Sequence, residues 1–402
     1  LTAGIHPLSN GPVSSIALVT LIFLTAGLWA PRAEAYANFI GYGYASCLTC
    51  HANGLGSGPI NDYGRGLWAA EIASRSLYSK SVKLERISEL SGFAGNPENL
   101  PWWIRPHLKY RGILVQRNPG SGAATQKYYH MQIDVGTSLY FDQDQKYSFT
   151  YTAGYIPNAT STLKNSLNRF MPREWFARVQ ITEPLWLYAG KLEKAYGIRN
   201  IDHTSFQRSP QELSQNKQAH GAIVHWLKET YEIAANIFVG DQASLTPKTE
   251  QKGISIWSEY EFADRTRGGF SFLRSNDESQ KSILLAAAHW RQGLAKGSSI
   301  MFEYGLIQKI DKSLGTASNG SYTFVESYVE LTRGYNLLIN LERYNGDTAA
   351  NTPEQWKTGL GLLMFPINRV ELRLGAQHYR QVSSEEASAD NWGLQGQLHV
   401  SL

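Results

Sequence analysis

From Trp102 to Leu402 apolar and polar positions alternate in short runs, rich in Tyr, Phe, Trp and aliphatic side chains and separated by turn-forming clusters. In one run Tyr129, Met131, Ile133, Val135, Leu139 and Phe141 fall on one side, while Tyr128, His130, Gln132, Asp134, Ser138 and Tyr140 fall on the other. A period of two with one apolar face predicts a half-exposed strand. Sixteen such segments are read, near 102–117, 127–142, 145–156, 171–181, 185–194, 218–227, 230–240, 252–263, 267–275, 281–292, 297–309, 322–333, 335–345, 356–365, 368–380 and 390–402. The links between them alternate. Those at 157–170, 195–217, 241–251, 310–321, 346–355 and 381–389 are long, whereas Gln143-Asp144, Thr182-Glu183-Pro184, Lys228-Glu229, Gly334 and Pro366-Ile367 are short. A soluble β-sandwich has no reason to collect its tight turns at one end; a transmembrane barrel has short periplasmic turns, long outer loops and an even strand number. In the last segment Leu394, Gly396, Leu398, Val400 and Leu402 share a face opposite Gln395, Gln397, His399 and Ser401. The expected fold is mainly β: a transmembrane antiparallel barrel of about 16 strands over 101–402, preceded by a small α-helical segment. An even count puts both barrel ends on the periplasmic side, so residues 36–100 belong at or inside that mouth.

That leading stretch has a different texture. Gly41, Gly43, Gly54, Gly56 and Gly58 make it flexible, and Asn61 or Asp62 can cap a helix from about Gly64 to Leu77. A second helical stretch, 82–90, places Val82, Ile87 and Leu90 on roughly one side. A unit of this size is near the lower limit for independent stability and is expected to lean on the barrel. Before it, residues 16–30 read IALVTLIFLTAGLWA without a charge, and Ala33-Glu34-Ala35 supplies small residues at −3 and −1. This predicts a secretory signal peptide over 1–35.

Composition narrows the class. Hydrophobic residues make up 42%, aromatic residues 12% and charged residues only 18%, which excludes a disordered polymer. Past residue 30 no apolar run reaches the roughly 18 residues of a membrane helix. A net charge of +4, spread thinly, excludes nucleic acid as a partner. The chain's 2 cysteines sit in one pentapeptide, Cys47-Leu48-Thr49-Cys50-His51. C-x-x-C-H is the pattern for c-type haem attachment: each thiol adds to a vinyl group of the porphyrin, and His51 becomes the proximal iron ligand. A thioredoxin-like pair would need a βαβ context, and a zinc site would need further ligands at suitable spacing.

With Cys47–His51, the downstream Tyr63-Gly64-Arg65 element, the leader and the strand pattern in view, the chain resembles the fused outer-membrane cytochrome–porins of bacterial iron oxidation and extracellular electron transfer. The organisation matches over nearly the whole mature chain, and the specific match is the C-x-x-C-H. The glycine-rich insert Gly54–Asn61 departs from the pattern of the iron-oxidising members and leaves the donor open. The resemblance implies one covalent haem c in a plug domain over 36–100, within a bacterial outer-membrane barrel surrounded by lipid. It implies electron relay between an extracellular donor or acceptor such as iron and periplasmic c-type cytochromes. Such a chain is an electron carrier, acting with iron as a ferrous-iron:cytochrome c oxidoreductase.

A six-coordinate haem needs a ligand opposite His51, typically His or Met. His107, which alternates with Lys109 and Arg111, is the first candidate, and His130, on the polar face with Gln132 and Asp134, the second. His220 and His399 lie near the ends of their strands, and Met131 and Met364 are expected to face lipid. Asp202 and His203 could bind a metal ion in the 194–218 loop, the alternative being a loop packed into the barrel mouth. Arg178, Glu232, Glu371 and Arg373 are expected to line a watery wall. Two other functions stay open: a solute porin whose haem unit is a gate or sensor, and a haem peroxidase, which needs an open iron position and a distal acid–base group.

Overall fold

The computed structural model describes residues 37–56, 58–76, 81–89, 100–119, 123–155, 170–200, 202, 204–214, 217–241, 250–349, 353–382 and 389–402. The expected signal peptide at 1–35 lies outside them. Strands β1 (Ile104–Pro119), β2 (Thr125–Tyr140), β3 (Tyr147–Tyr155), β4 (Phe170–Thr182), β5 (Leu185–Leu192), β6 (Ala219–Leu227), β7 (Tyr231–Phe238) and β8 (Lys252–Ala263) form one half of the sheet. Strands β9 (Thr266–Asn276), β10 (Lys281–Ala295), β11 (Ser298–Asp311), β12 (Thr316–Thr332), β13 (Tyr335–Asn345), β14 (Glu354–Ile367), β15 (Val370–Val382) and β16 (Ala389–Ser401) form the other. Each pairs antiparallel with the next, and β16 closes on β1, with Lys109 opposite Ser401 and Arg111 opposite His399. This is the closed 16-stranded barrel the alternation predicts.

Side chains sort as period-two strands require. On β11, Phe302, Tyr304 and Leu306 are exposed on the outer face, while Met301, Glu303 and Ile307 are buried inside. On β8, Ile254 and Ile256 point out and Ser255 and Glu259 point in. An apolar band with no protein over it is stable only against another apolar phase. The even-to-odd turns are tight, as at 183–184, 264–265, 296–297, 333–334 and 368–369, and share one end with the start of β1 and the end of β16. One expected long link, 310–321, is instead the turn 312–315, because β12 starts at Thr316. Its first residues, Thr316-Ala317-Ser318-Asn319-Gly320, have no apolar face from which a strand could be read.

The barrel is not hollow. Its N-terminal segment folds within the lumen as a 3-10 turn Asn38–Tyr42, a 3-10 turn Cys47–Thr49 and a helix α1 (Asp62–Leu67) continued by a π turn Trp68–Ile72, against which a helix α2 (Leu84–Glu89) packs. Asn61 is the cap of α1, accepting from Gly64 N at 2.8 Å. The helix expected to reach Leu77 stops at Ile72, because Ala73 turns extended and Ser74 N donates to Phe365 O of β14 at 2.8 Å. Of the apolar trio expected in the second stretch, Ile87 is buried on α2, whereas Leu90 lies outside the described residues.

The segment and the wall share one core. Phe39, Tyr42, Trp68 and Ile72 pack with Phe324, Tyr328, Leu363 and Phe365, and Trp68 meets Phe365 edge-on at 5.9 Å between ring centroids. Each such side chain contributes about 1.5–3 kcal/mol on burial, so the segment does lean on the barrel. Wall cations satisfy carbonyls that the short segment cannot pair internally. Arg178 donates to Ala52 O at 3.1 Å, Arg291 to Ala45 O at 3.0 Å and Arg333 to Ala73 O at 2.9 Å. A buried carbonyl left unpaired costs about 1–3 kcal/mol. Arg178 and Glu232 therefore hold the segment, a role the sequence reading assigned to water; Ser46 Oγ donates to Glu232 at 3.2 Å.

From the opposite end the β5–β6 loop folds inward. Gly197 N donates to Ser271 Oγ at 2.9 Å, Ile198 N donates to Glu303, and Ser205 Oγ donates to Glu342 at 3.0 Å. Where the inserted segment meets the wall, a Cβ on Gly54 would stand 2.6 Å from His225 Nδ1 and 2.7 Å from the Tyr188 hydroxyl. Gly54→Val should overpack this contact at a cost of about 1–3 kcal/mol and loosen the segment. Trypsin should then cut at Arg65, buried in the parent, while the barrel keeps its heat-modifiable migration on SDS gels. Unchanged resistance would show that the close approach is not needed.

Candidate functional site

The C-x-x-C-H motif is folded by local chain chemistry. The turn Cys47–Thr49 is closed by Cys50 N and His51 N, both donating to Cys47 O at 3.2 and 3.0 Å. Residues 51–60 then loop back: Ala52 N donates to Pro59 O at 3.0 Å, and Asn61 N to Cys50 O at 2.8 Å. Asn61 does double duty, since its Nδ2 also donates to Thr49 O at 3.0 Å. Gly56, at φ +84°, takes the left-handed turn in this loop, and a Cβ there would press on Arg199 and Cys47. The clip made by Asn61 was not singled out as a site feature from sequence, although its capping position was legible.

Two cavities lined by the described residues meet at His51. The larger encloses about 970 Å³ of space continuous with solvent and is lined by Cys47 and His51 of the segment, Glu193 and Arg199 of the infolded loop, and Lys109, Arg173 and His399 of the wall. The smaller, about 450 Å³, is lined by Cys50 and His51 together with Phe39, Leu67, Trp68, Ile72 and Phe365. His51 thus stands between a polar space and an apolar one. Around the larger space the cations Lys109, Arg111, Arg173 and Arg199 face the carboxylates Asp134, Glu174 and Glu193, with Arg173 Nε 2.8 Å from Asp134 Oδ1. A porphyrin has an apolar body and two anionic arms. These residues fit it: thiols at covalent spacing, an imidazole between the cavities, apolar walls on one side and a surplus of cations on the other.

Burial tunes the motif. Desolvation pushes the His51 ring down to about 3, so the imidazole is neutral and keeps a lone pair for a metal. The same desolvation pushes the Cys47 and Cys50 thiols up to about 12. Once the segment is docked these thiols are protonated and unreactive.

The structure sets Cys47, Cys50 and His51 on the inserted segment and places the two distal candidates away from them. His107 is buried on β1 with its Nε2 3.0 Å from Thr152 Oγ1, and it lines neither cavity. His130 is exposed on the outside of the barrel. The β1–β2 register slips between Arg111, which faces Gln132, and Gly112, which faces His130. This bulge at Met131 breaks the alternation, so His130 leaves the face of Gln132 and Asp134 and stacks edge-on with Tyr128 at 5.1 Å. His220 also lines neither cavity, its Nδ1 3.2 Å from Gly240 O. His399, given no priority from sequence, lines the larger one. In the infolded loop Asp202 pairs with Lys357 at 2.9 Å, which favours the packed-loop reading; His203 lies outside the described residues. Among the described residues no group of three His, Cys, Asp or Glu is placed to hold a metal ion.

The fold defines a class: a 16-stranded porin-like barrel. The anion-selective porin of Comamonas acidovorans matches it with a TM-score of 0.56 at 7% identity, over 74% of this chain and 99% of that one. OmpT of Vibrio cholerae matches at 0.55 and 9%, covering 74% and 98%. OprB of Pseudomonas putida matches at 0.55 and 10%, covering 75% and 94%. No protein-family model and no curated protein sequence matches the chain. At these identities the likeness is one of fold.

The thiols offer a direct check on docking. In haem-free folded protein, alkylation of Cys47 and Cys50 at mildly alkaline pH should run about a thousandfold below that of an ordinary cysteine, because their thiolate fraction falls with the rise from 9.0 to about 12. The rate should climb as pH approaches that range, and unfolding should restore ordinary reactivity. Fast labelling of the folded chain would mean the segment is undocked.

Proposed function

We propose that this chain carries electrons across the bacterial outer membrane through one covalent haem c held inside its barrel. The observation that supports this reading is the position of Cys47, Cys50 and His51: within the lumen, beside a cavity lined by the N-terminal segment, the infolded loop and the wall. A bilayer's apolar core is an insulator about 30 Å thick. The haem, when bound, supplies a one-electron couple part-way through that layer.

The chain's own residues do the rest. Cys47 and Cys50 anchor the group as thioethers, and His51, kept neutral by burial, presents a nitrogen to the iron. Lys109, Arg111 and Arg173 offer positive charge to the anionic edge. The packed segment and loop limit water and hold the site rigid, so an electron arrives in a medium that reorganises little. The short-turn mouth is the side for periplasmic c-type cytochromes. The long-loop mouth is the side for an extracellular donor or acceptor such as ferrous iron.

A second reading rests on the porin likeness: the barrel passes solutes and the haem-bearing segment acts as a gate. Against it stands the packing of the lumen, where Arg333 alone donates to the carbonyls of Ala69, Ala70 and Ala73 at 3.3, 2.5 and 2.9 Å.

Proteoliposomes enclosing reduced cytochrome c separate the two. Haem-loaded protein should let an impermeant external oxidant discharge the enclosed cytochrome, and should let external ferrous iron reduce it once oxidised. Cys47→Ser with Cys50→Ser should abolish both, and sugar-driven swelling should be slow. Rapid swelling with no electron transfer would overturn the conduit and favour the porin.

A further inference from the structure

We propose that His399 is the second axial ligand of the haem, oriented by Glu371; this deepens the conduit reading and rests on it. His399 is 6% exposed, and its ring lines the larger cavity together with Cys47 and His51. Its Nδ1 lies 3.2 Å from Glu371 Oε2, and its Nε2 is buried with no hydrogen-bond partner among the described residues. An unpartnered buried imidazole nitrogen is costly in a finished protein core. A metal-bound histidine typically has this arrangement: one nitrogen given to the metal and the other held by a carboxylate that fixes the tautomer and ring plane.

The surroundings point the same way. Glu371 lines the second cavity, beside Cys50 and His51. The pair therefore reaches both spaces that flank His51, one partner on each. Glu371 faces His399 across the β15–β16 ladder, and Arg111 faces it across the β16–β1 ladder. The ring is thus set on the closing strand of the barrel between two hydrogen-bonded neighbours, a rigid place for a ligand.

The other inward histidines also carry ring nitrogens with no hydrogen-bond partner among the described residues, Nδ1 of His107 and His225 and both nitrogens of His289, but none of the three lines either cavity beside His51. Met301 belongs to the apolar cluster and lines neither cavity. Lys109 lines the larger cavity, but its ammonium donates to Gly58 O.

The test uses the full-length haem-loaded protein in detergent. Its covalent haem is counted by pyridine haemochrome, and its spin state is read by optical and electron paramagnetic resonance spectra. The parent should be low-spin with two nitrogen ligands. His399→Ala should keep the covalent haem and the heat-modifiable barrel yet turn high-spin, and added imidazole should restore the low-spin spectrum. His399→Met should give the long-wavelength sulfur-to-iron band. Glu371→Gln should stay low-spin with a raised midpoint potential, since the ligand loses its anionic partner. His107→Ala and Met301→Leu should leave the spectrum unchanged. A His399→Ala protein that carries haem and stays low-spin overturns the assignment, as does a high-spin parent. Absence of covalent haem from the parent overturns instead the reading on which it rests.

Discussion

A sheet of sixteen strands encloses more space than its own inward side chains can fill, and the interior of this molecule is organised by that surplus volume. The N-terminal segment and the β5–β6 loop enter from opposite ends and meet, with Gly56 of one against Arg199 of the other. Both are irregular backbone, rich in carbonyl and amide groups that a short coil cannot satisfy internally. The wall answers with long cations and carboxylates. Arg291 shows the economy of the arrangement: one guanidinium binds Glu259 of β8 and also the Ala45 carbonyl. Lys357 does the same for the loop, pairing with Glu342 at 2.7 Å and with Asp202 at 2.9 Å. The inward charges thus bind polypeptide as well as water.

This filling determines the chemistry open to the motif. In a mobile, solvated tail the two thiols and the imidazole would titrate as ordinary side chains. In the packed lumen, desolvation raises both thiols and keeps the ring neutral. The porin likeness describes the scaffold alone. An empty 16-stranded cylinder is a passage for solutes; here chain packs into it from both mouths.

Much of the architecture was legible because strand alternation is a local property. The segments at 252–263 and 335–345 coincide with β8 and β13, and the terminal face of Gln397, His399 and Ser401 is buried while Leu394 and Leu398 are exposed. Reading failed where local contrast vanished or was broken. The start of β12 is polar on both faces, and the bulge at Met131 reverses the facing of His130 without altering any residue that alternation counts.

The covalent chemistry is likewise in the sequence, since thiol spacing and the adjacent histidine are matters of a few bonds. The partner across the site is not. Between His107 and His399 the sequence offers two histidines on inward faces, one beside Thr152 and one beside Glu371, and what separates them is that only His399 lines a cavity together with His51. Those contacts join residues 45 and 28 positions apart in the chain and arise only when the sheet closes and its interior fills. Sequence alone determined which strands form, which faces are apolar and where the C-x-x-C-H motif lies. Tertiary structure decided which parts of the chain fill the lumen and which imidazole shares a cavity with the motif, because register and packing across a closed barrel are set by long-range contacts that no short window of sequence contains.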